Sequence, residues 1–405
     1  MNKGPLAGLR VADFTWIGAG SYTTKILADF GAEVIKVETM THLDPLRNTA
    51  PFLDGKPGVN RSGYFADRNS SKRSMVLDLK MEQAQEIARA LIAKSDIVAN
   101  NFSPGTMEKL GLGYDRVSAD HQDLIYLSMS MQGAEGPHSR YVGFGLTIAA
   151  LSGIQYLSGP VDRPPVGTGT NYPDHVPNPC HAAFAVLSAI YHRRKTGQGQ
   201  FIDFSQTEPT TALMGTALMD YTVNGRIAER VGNDHPHAAP RGAYPCLNGR
   251  TIAISIHSDQ QWLDLDRELN LSDLLPKRDW SQAGVRLANR KELDEAISQM
   301  TIKHDALSLQ NTLQAKSIPA AAALNVAELV EDDPQLAHRG HWIKLDHSEM
   351  GKTIYNAPPI RLSRTNFTMN RPAPLLGEHT HEVCRDLLGL SDEQIDKLRS
   401  EGVFN

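Results

Sequence analysis

Cysteine is scarce in this chain: Cys180, Cys246 and Cys384 are its three, widely separated in 405 residues and forming no CxxC pair. That argues against a disulfide framework and a structural zinc site, and makes a reducing cytoplasm the expected location. Long apolar runs are missing too, since none approaches the roughly 18 residues of a membrane span. The opening MNKGPLAGLRVADF passes straight into strand-like sequence without the apolar core of a signal peptide. Neither charge sign dominates. A formal net charge of −5 gives no general attraction to nucleic acid or anionic lipid. No internal repeat and no low-complexity segment is present. What remains, with 40% hydrophobic and 21% charged residues over 405 positions, is the profile of a soluble enzyme with one large and one smaller domain.

The first 130 residues alternate strand and helix signals. Leu9–Thr15, Glu33–Glu38, Met75–Leu79, Ile97–Phe102 and Leu124–Ser130 read as buried strands. Between them, a helix follows Ile17–Gly20, and Met81–Lys94 sets Ala84, Ile87, Ala88, Leu91 and Ile92 on one helical face. Such alternation predicts an α/β fold: a Rossmann-like parallel sheet with helices on both faces. Pro179 can sit in the first turn of a helix carrying Ala182, Ala183, Val186, Leu187 and Ile190, with strand Phe201–Ser205 and a helix near Thr211–Val223 after it. Residues 226–250, rich in Gly, Pro and His, read as a linker. The expected organisation is a large domain over 1–225, a smaller α/β domain over 226–329, and a tail over 330–405 with hairpin strands around Trp342–Tyr355.

Three features could carry chemistry. Gly18-Ala19-Gly20 follows a strand and Glu38 closes the next, which is half of a dinucleotide fingerprint; Thr23 stands where its third glycine would be, and a tight strand-to-helix turn explains the same residues. The histidine pairs His175/His181, His235/His237 and His379/His381 lack HExxH spacing and cysteine partners, so they read as surface or loop residues. Asp174, in Asn171-Tyr172-Pro173-Asp174-His175 ahead of a helix, is either a cap or a positioned carboxylate that helix amides keep ionised for nucleophilic attack. Position alone leaves both open.

The order of motifs over nearly the whole chain resembles the family III CoA-transferases (CaiB/BaiF type). The matching segments are Pro5–Val11, Leu27-Ala28-Asp29-Phe30-Gly31-Ala32-Glu33 running on to Glu38, Ser71-Lys72-Arg73-Ser74, Asn101-Phe102-Ser103-Pro104-Gly105, Tyr172-Pro173-Asp174, Arg194–Gln200, Asp333–Leu336 and Pro372–Thr380. The resemblance implies a large domain completed by the C-terminal tail, a small domain between, and two ring-like chains interlocked as a dimer. It implies Asp174 as the nucleophile, the turn amides of Gly18 and Ala19 as oxyanion donors, and Leu77, Lys80, Asn101, Phe102 and Lys109 as contacts to CoA. CoA is then a co-substrate alongside a carboxylic acid, with no metal or redox cofactor.

Thr39 and Gly18 depart from the arginine and glutamine of formyl-CoA transferases, and their glycine-run lid is missing, which argues against formyl-CoA and oxalate. In the related α-methylacyl-CoA racemases a proton-shuttling histidine is expected in the segment aligned with Val142-Gly143-Phe144-Gly145; here Phe144 takes that place and cannot move a proton. The segments Asp13–Gly20 and Gly167–Pro179 are similar to the benzylsuccinate CoA-transferases of anaerobic toluene breakdown, their F-type subunit in particular. That likeness implies succinyl-CoA as donor, (R)-2-benzylsuccinate as acceptor, and either an identical or a paralogous partner chain. A racemase-like enzyme and a CoA-binding subunit without catalysis are the competing readings.

Overall fold

Six strands hydrogen-bond in the order β3-β2-β1-β4-β5-β6, every adjacent pair parallel, in the computed structural model of the chain. They are β1 Arg10–Asp13, β2 Glu33–Glu38, β3 Arg73–Val76, β4 Ile97–Asn100, β5 Ile125–Ser128 and β6 Gln200–Asp203. The structure describes residues 4–405; Met1–Lys3, at the head of the opening segment, lie outside them. The helices that matter for the site are α1 Ile17–Asp29, α2 Glu82–Ala93, the short α3 Gly145–Leu151 and α4 Tyr172–His175, and α5 Pro177–Thr196.

Strands β1 to β5 are buried on both faces, successive residues pointing to opposite sides, while the edge strand β6 is largely exposed. Val11, Val34, Ile97, Ala99, Ile125 and Leu127 pack with Leu27 and Ala28 of α1 and with Ala182, Val186, Ala189 and Ile190 of α5. Their neighbours Ala12, Ile35, Met75, Val98 and Tyr126 pack with Ala84, Ile87, Ala88, Leu91 and Ile92 of α2. Val383, Cys384, Ile395, Val403 and Phe404 complete that second core, so the end of the chain covers the same face as α2.

The chain divides into two units. One comprises the residues up to Gln155, Gly167–Ile227 and Gln335–Asn405; it holds the six-stranded sheet and the antiparallel hairpin β10 Trp342–His347 with β11 Gly351–Asn356. The other comprises Tyr156–Val166 and Ala228–Pro334. Its three antiparallel strands, β7 Arg241–Pro245, β8 Thr251–Ser255 and β9 Ala320–Ala322, lie in the order β7-β8-β9. Ile252 and Ile254 pack there with Trp262, Leu265, Leu293, Ile297, Leu309 and Leu313 of surrounding helices.

Two expectations from the sequence need adjusting. The strands of the large sheet stop earlier than their apolar runs: β1 ends at Asp13, whose carboxylate accepts from both the amide and the hydroxyl of Thr15, turning the chain. Residues 226–250 are more than a linker, since Arg241–Pro245 pairs with Thr251–Ser255 and buries Tyr244. Glycine and proline at Gly242 and Pro245 masked that alternation.

Candidate active site

Strand order reverses between β1 and β4, because β2 and β3 lie on one side of β1 while β4, β5 and β6 lie on the other. In an open parallel sheet this reversal splays apart the loops leaving the carboxyl ends of the two strands and opens a crevice between them. A cavity of about 260 Å³ occupies that place. Trp16, Ile17, Gly18 and Ala19 from the loop after β1 form one wall, and Asn101, Phe102, Ser103 and Pro104 after β4 form the other. Met131 and Gln206, beyond the ends of β5 and β6, and Tyr141–Phe144 enclose it further. Asp174 lines it from α4.

The Asp174 side chain is 4% exposed. Among the described residues its carboxyl has one hydrogen-bond partner, the Gly145 amide, which donates to Oδ2 at 3.2 Å. Two glycines make this close fit possible. A Cβ at Gly18 would lie 2.9 Å from the Asp174 Cβ, and a Cβ at Gly145 would lie 2.7 Å from Oδ2. Burial pushes the Asp174 carboxyl up to about 6, and the Gly145 amide and the Arg68 guanidinium only partly offset it. The sequence leaves open a cap or a carboxylate kept ionised by the amides of the helix that follows it; the structure shows a different donor. Helix α4 is a single turn, and the amide that reaches the carboxylate comes from the start of α3 instead. With a value near 6 the group is still mostly charged at neutral pH, and it is a stronger base than an ordinary aspartate.

His175, next in sequence, does not line this cavity. Its ring nitrogens meet Tyr64 Oη at 3.0 Å and Thr170 Oγ1 at 3.1 Å. Burial first, and then Arg68, bring it down to about 4, so it is neutral near pH 7.

The structure brings Asp174, Gly18, Ala19, Asn101 and Phe102 to one cavity. Phe102 meets Trp16 edge to face, ring centroids 5.4 Å apart. Leu77, Lys80 and Lys109 stand outside it: Leu77 is wholly buried in the core beneath α2, and both lysines are exposed. Phe144, the residue at the position where a racemase histidine is expected, lines the cavity and is largely exposed. Sequence reasoning missed Gly145 and Tyr141. Gly143 and Gly145, on either side of the α3 cap residue Phe144, were the available signal, since paired glycines at a helix start often mark a close approach of backbone. Among the described residues, no group of three or more His, Cys, Asp or Glu side chains could hold a metal ion, and no helix is long and apolar enough to cross a membrane.

Residues 6–380 match the family model described as CoA-transferase family III. The chain belongs to that family. It is 31% identical over 99% of its length to the succinyl-CoA–D-citramalate CoA-transferase of Chloroflexus aurantiacus, covering 98% of that protein. Likeness to the succinyl-CoA:mesaconate CoA-transferase of Haloarcula hispanica is 33%, over 94% of this chain and 96% of the relative. Among solved structures, a CaiB/BaiF family protein from Brucella suis superposes with a TM-score of 0.86 at 30% identity, covering 95% of this chain and all of that one. As a family III CoA-transferase the protein is an enzyme that moves CoA between an acyl-CoA and an organic acid, and its large parallel-sheet domain with a smaller domain is consistent with the CaiB/BaiF fold.

Proposed function

We propose that Asp174 is the covalent nucleophile of the transfer, and that the enzyme takes CoA from succinyl-CoA to a substituted succinate such as (R)-2-benzylsuccinate. The observation that carries the first part is the Asp174 carboxyl itself: on the wall of the cavity at the sheet's switch point, with one hydrogen bond and one oxygen left to react. Attack by that oxygen on the thioester carbonyl forms a mixed anhydride and expels CoA thiolate. The thiolate then adds to the aspartyl carbonyl, giving an aspartyl-CoA thioester and the free donor acid. The acceptor carboxylate attacks the aspartyl thioester, forming a second anhydride and releasing thiolate again. Thiolate attack on the acceptor's acyl carbon yields the new acyl-CoA and restores the Asp174 carboxylate. Each addition places charge on a carbonyl oxygen. Gly18 and Ala19 lie in the first turn of α1, where amides lack intrahelical acceptors, and can donate to it.

For CoA, the reading keeps Phe102 at the cavity wall and Asn101 and Leu77 through their backbones only, with exposed Lys80 and Lys109 meeting phosphates. The donor rests on relatives whose names carry succinyl-CoA: those from Chloroflexus and Haloarcula, and the human succinyl-CoA:glutarate CoA-transferase at 29% identity. Their acceptors are all dicarboxylic acids and differ from one another. Trp16, Phe102, Tyr141 and Phe144 give this cavity an aromatic lining, which suits an acid bearing a phenyl group. A partner chain, identical or paralogous, would cover the apolar side chains left exposed on α5, Phe184, Leu187 and Tyr191, and on Gly215–Asn224, Leu218, Met219, Tyr221 and Val223. A cytoplasmic site of action fits the three cysteines, Cys180, Cys246 and Cys384, all present as free thiols.

Trapping tests the nucleophile. Hydroxylamine or borohydride added during turnover with succinyl-CoA should modify the peptide containing Asp174, read by mass spectrometry; full activity in Asp174→Ala ends the proposal. Screening acids against succinyl-CoA, with benzylsuccinate beside citramalate, mesaconate and glutarate, ranks the acceptors by kcat/KM. Exchange of the α-hydrogen with solvent deuterium in the absence of any acid would instead point to racemase chemistry, and acyl-CoA binding without an adduct to a non-catalytic subunit.

A further inference from the structure

We infer that Asn101 and Asp44 are positioning residues that lock the Trp16–Ile17 turn in a left-handed bend and so hold the Gly18 and Ala19 amides beside Asp174. The inference rests on the reading of Asp174 as nucleophile and of this turn as its oxyanion donor. Ile17 has φ +58°. A β-branched side chain there is strained, and nothing within the turn favours it. Left to itself the segment would relax toward extended backbone and swing the following amides away.

Side chains from elsewhere in the fold oppose that relaxation at three consecutive residues. Asn101, just past the end of β4, accepts from the Trp16 amide through Oδ1 at 2.8 Å and donates from Nδ2 to the Trp16 carbonyl, also at 2.8 Å. Both ends of one amide side chain thus grip both polar backbone groups of one residue, which neither an aspartate nor a leucine of similar size can do. Asp44 accepts from the Ile17 amide at 3.2 Å through Oδ1, while its Oδ2 pairs with Lys36 Nζ at 3.0 Å. The same Nζ donates to the Thr15 carbonyl at 2.5 Å. Lys36 and Asp44 are fully buried, so the tether runs through low dielectric and does not compete with water. Gly20 completes the device: a Cβ there would lie 2.9 Å from the Asn101 Cγ, so only glycine lets the clamp reach. Asn101, expected from sequence as a CoA contact, holds protein backbone with both ends of its amide.

The test pairs loss of the clamp with removal of the strain that it resists. Asn101→Ala should lower kcat about 100-fold, as small misplacements of reacting groups do, while the Kd for CoA, measured by calorimetry, changes less than about threefold. Adding Ile17→Gly to that protein should recover at least about tenfold of kcat, because glycine adopts the bend without strain. Asn101→Asp, which keeps the acceptor for the Trp16 amide and loses the donor, should fall between and respond to Ile17→Gly in the same direction; it carries the test should Asn101→Ala be insoluble. A loss of CoA affinity equal to the loss of rate, or no recovery with Ile17→Gly, overturns the inference. Trapping on the unmodified protein separates the two layers. An Asp174 adduct there with no recovery in the double variant defeats the clamp alone, whereas absence of the adduct defeats the nucleophile reading on which it stands.

Discussion

The Gly145 amide and the Asp174 carboxylate stand 3.2 Å apart, and no side chain can be fitted at residue 145 without touching that carboxylate. A Cβ at this position would lie 2.7 Å from Oδ2 and 3.0 Å from the Asn171 Cβ, so an alanine must displace the reactive group or lose its hydrogen bond. Gly145→Ala is expected to lower kcat roughly 100-fold with little change in CoA affinity. Gly167→Ala, whose Cβ would meet nothing within 4 Å, is the matched control and should keep most of the rate. Steady-state kinetics on both proteins gives the comparison.

Activity should follow ionisation of Asp174. With the carboxyl raised to about 6 by burial, the charged nucleophile is lost as pH falls through that value. The logarithm of kcat/KM is expected to decline with a slope of about one per pH unit below about 6, and to be level from there toward neutrality. A profile still level down to about pH 4.5 would mean that a carboxyl of ordinary acidity, or none, carries the rate.

The same shift makes a statement about stability with the opposite sign from most aspartates. The folded protein holds the proton more tightly than the unfolded chain, so the stability associated with the protonated carboxyl is present below about pH 4 and is lost as pH rises through about 6. A shift of this size corresponds to roughly 3 kcal/mol. Asp174→Asn, which keeps an acceptor for the Gly145 amide, should therefore match the parent in Tm near about pH 4 and exceed it increasingly up to about pH 6, with a constant gap above. Thermal unfolding across that range measures it. Equal Tm values at about pH 7.5 would indicate that the native carboxylate is well solvated.

The sheet was readable in the sequence because its strands repeat the same local lesson: Val11 and Ala12, Val34 and Ile35, Ile97 and Val98 each supply one residue to either face, and helices separate them. Strand ends were less readable. Asp13 and Asn100, at the ends of β1 and β4, accept from the Thr15 and Phe102 amides and turn the chain, an effect that hydropathy does not register. Asp174 stood out only through the order of surrounding motifs, since an aspartate after proline is otherwise a cap. Gly145 and Tyr141 were hidden for a different reason: they reach the site across the fold, from residues about thirty positions away in sequence from Asp174, and neither has a pattern of its own. Leu77 shows the reverse case, a motif residue whose side chain is spent on the core.

Beneath the turn, Lys72 and Asp13 form a fully buried ion pair at 3.0 Å, and this pair should dominate the stability of the β1 end. The Ser21 carbonyl, Thr24 Oγ1 and the Asn69 side-chain oxygen also lie within 3.0 Å of Lys72 Nζ, so the three ammonium hydrogens are shared among four surrounding oxygens. Burial drives the Lys72 ammonium down to about 8, against the pull of Asp13, yet it stays charged at neutral pH. Lys72→Met removes the cation, leaves Asp13 facing Lys36 and two threonine hydroxyls, and takes from the Asn69 oxygen its donor. Breaking a buried pair on one side costs about 3–5 kcal/mol. Urea denaturation should show a loss of that order with m unchanged. Adding Asp13→Asn removes the uncompensated charge while keeping an oxygen for Thr15, and should return at least about 1 kcal/mol. If the double variant is less stable than Lys72→Met alone, Asp13 is held by its hydroxyl partners and Lys36 and not by Lys72.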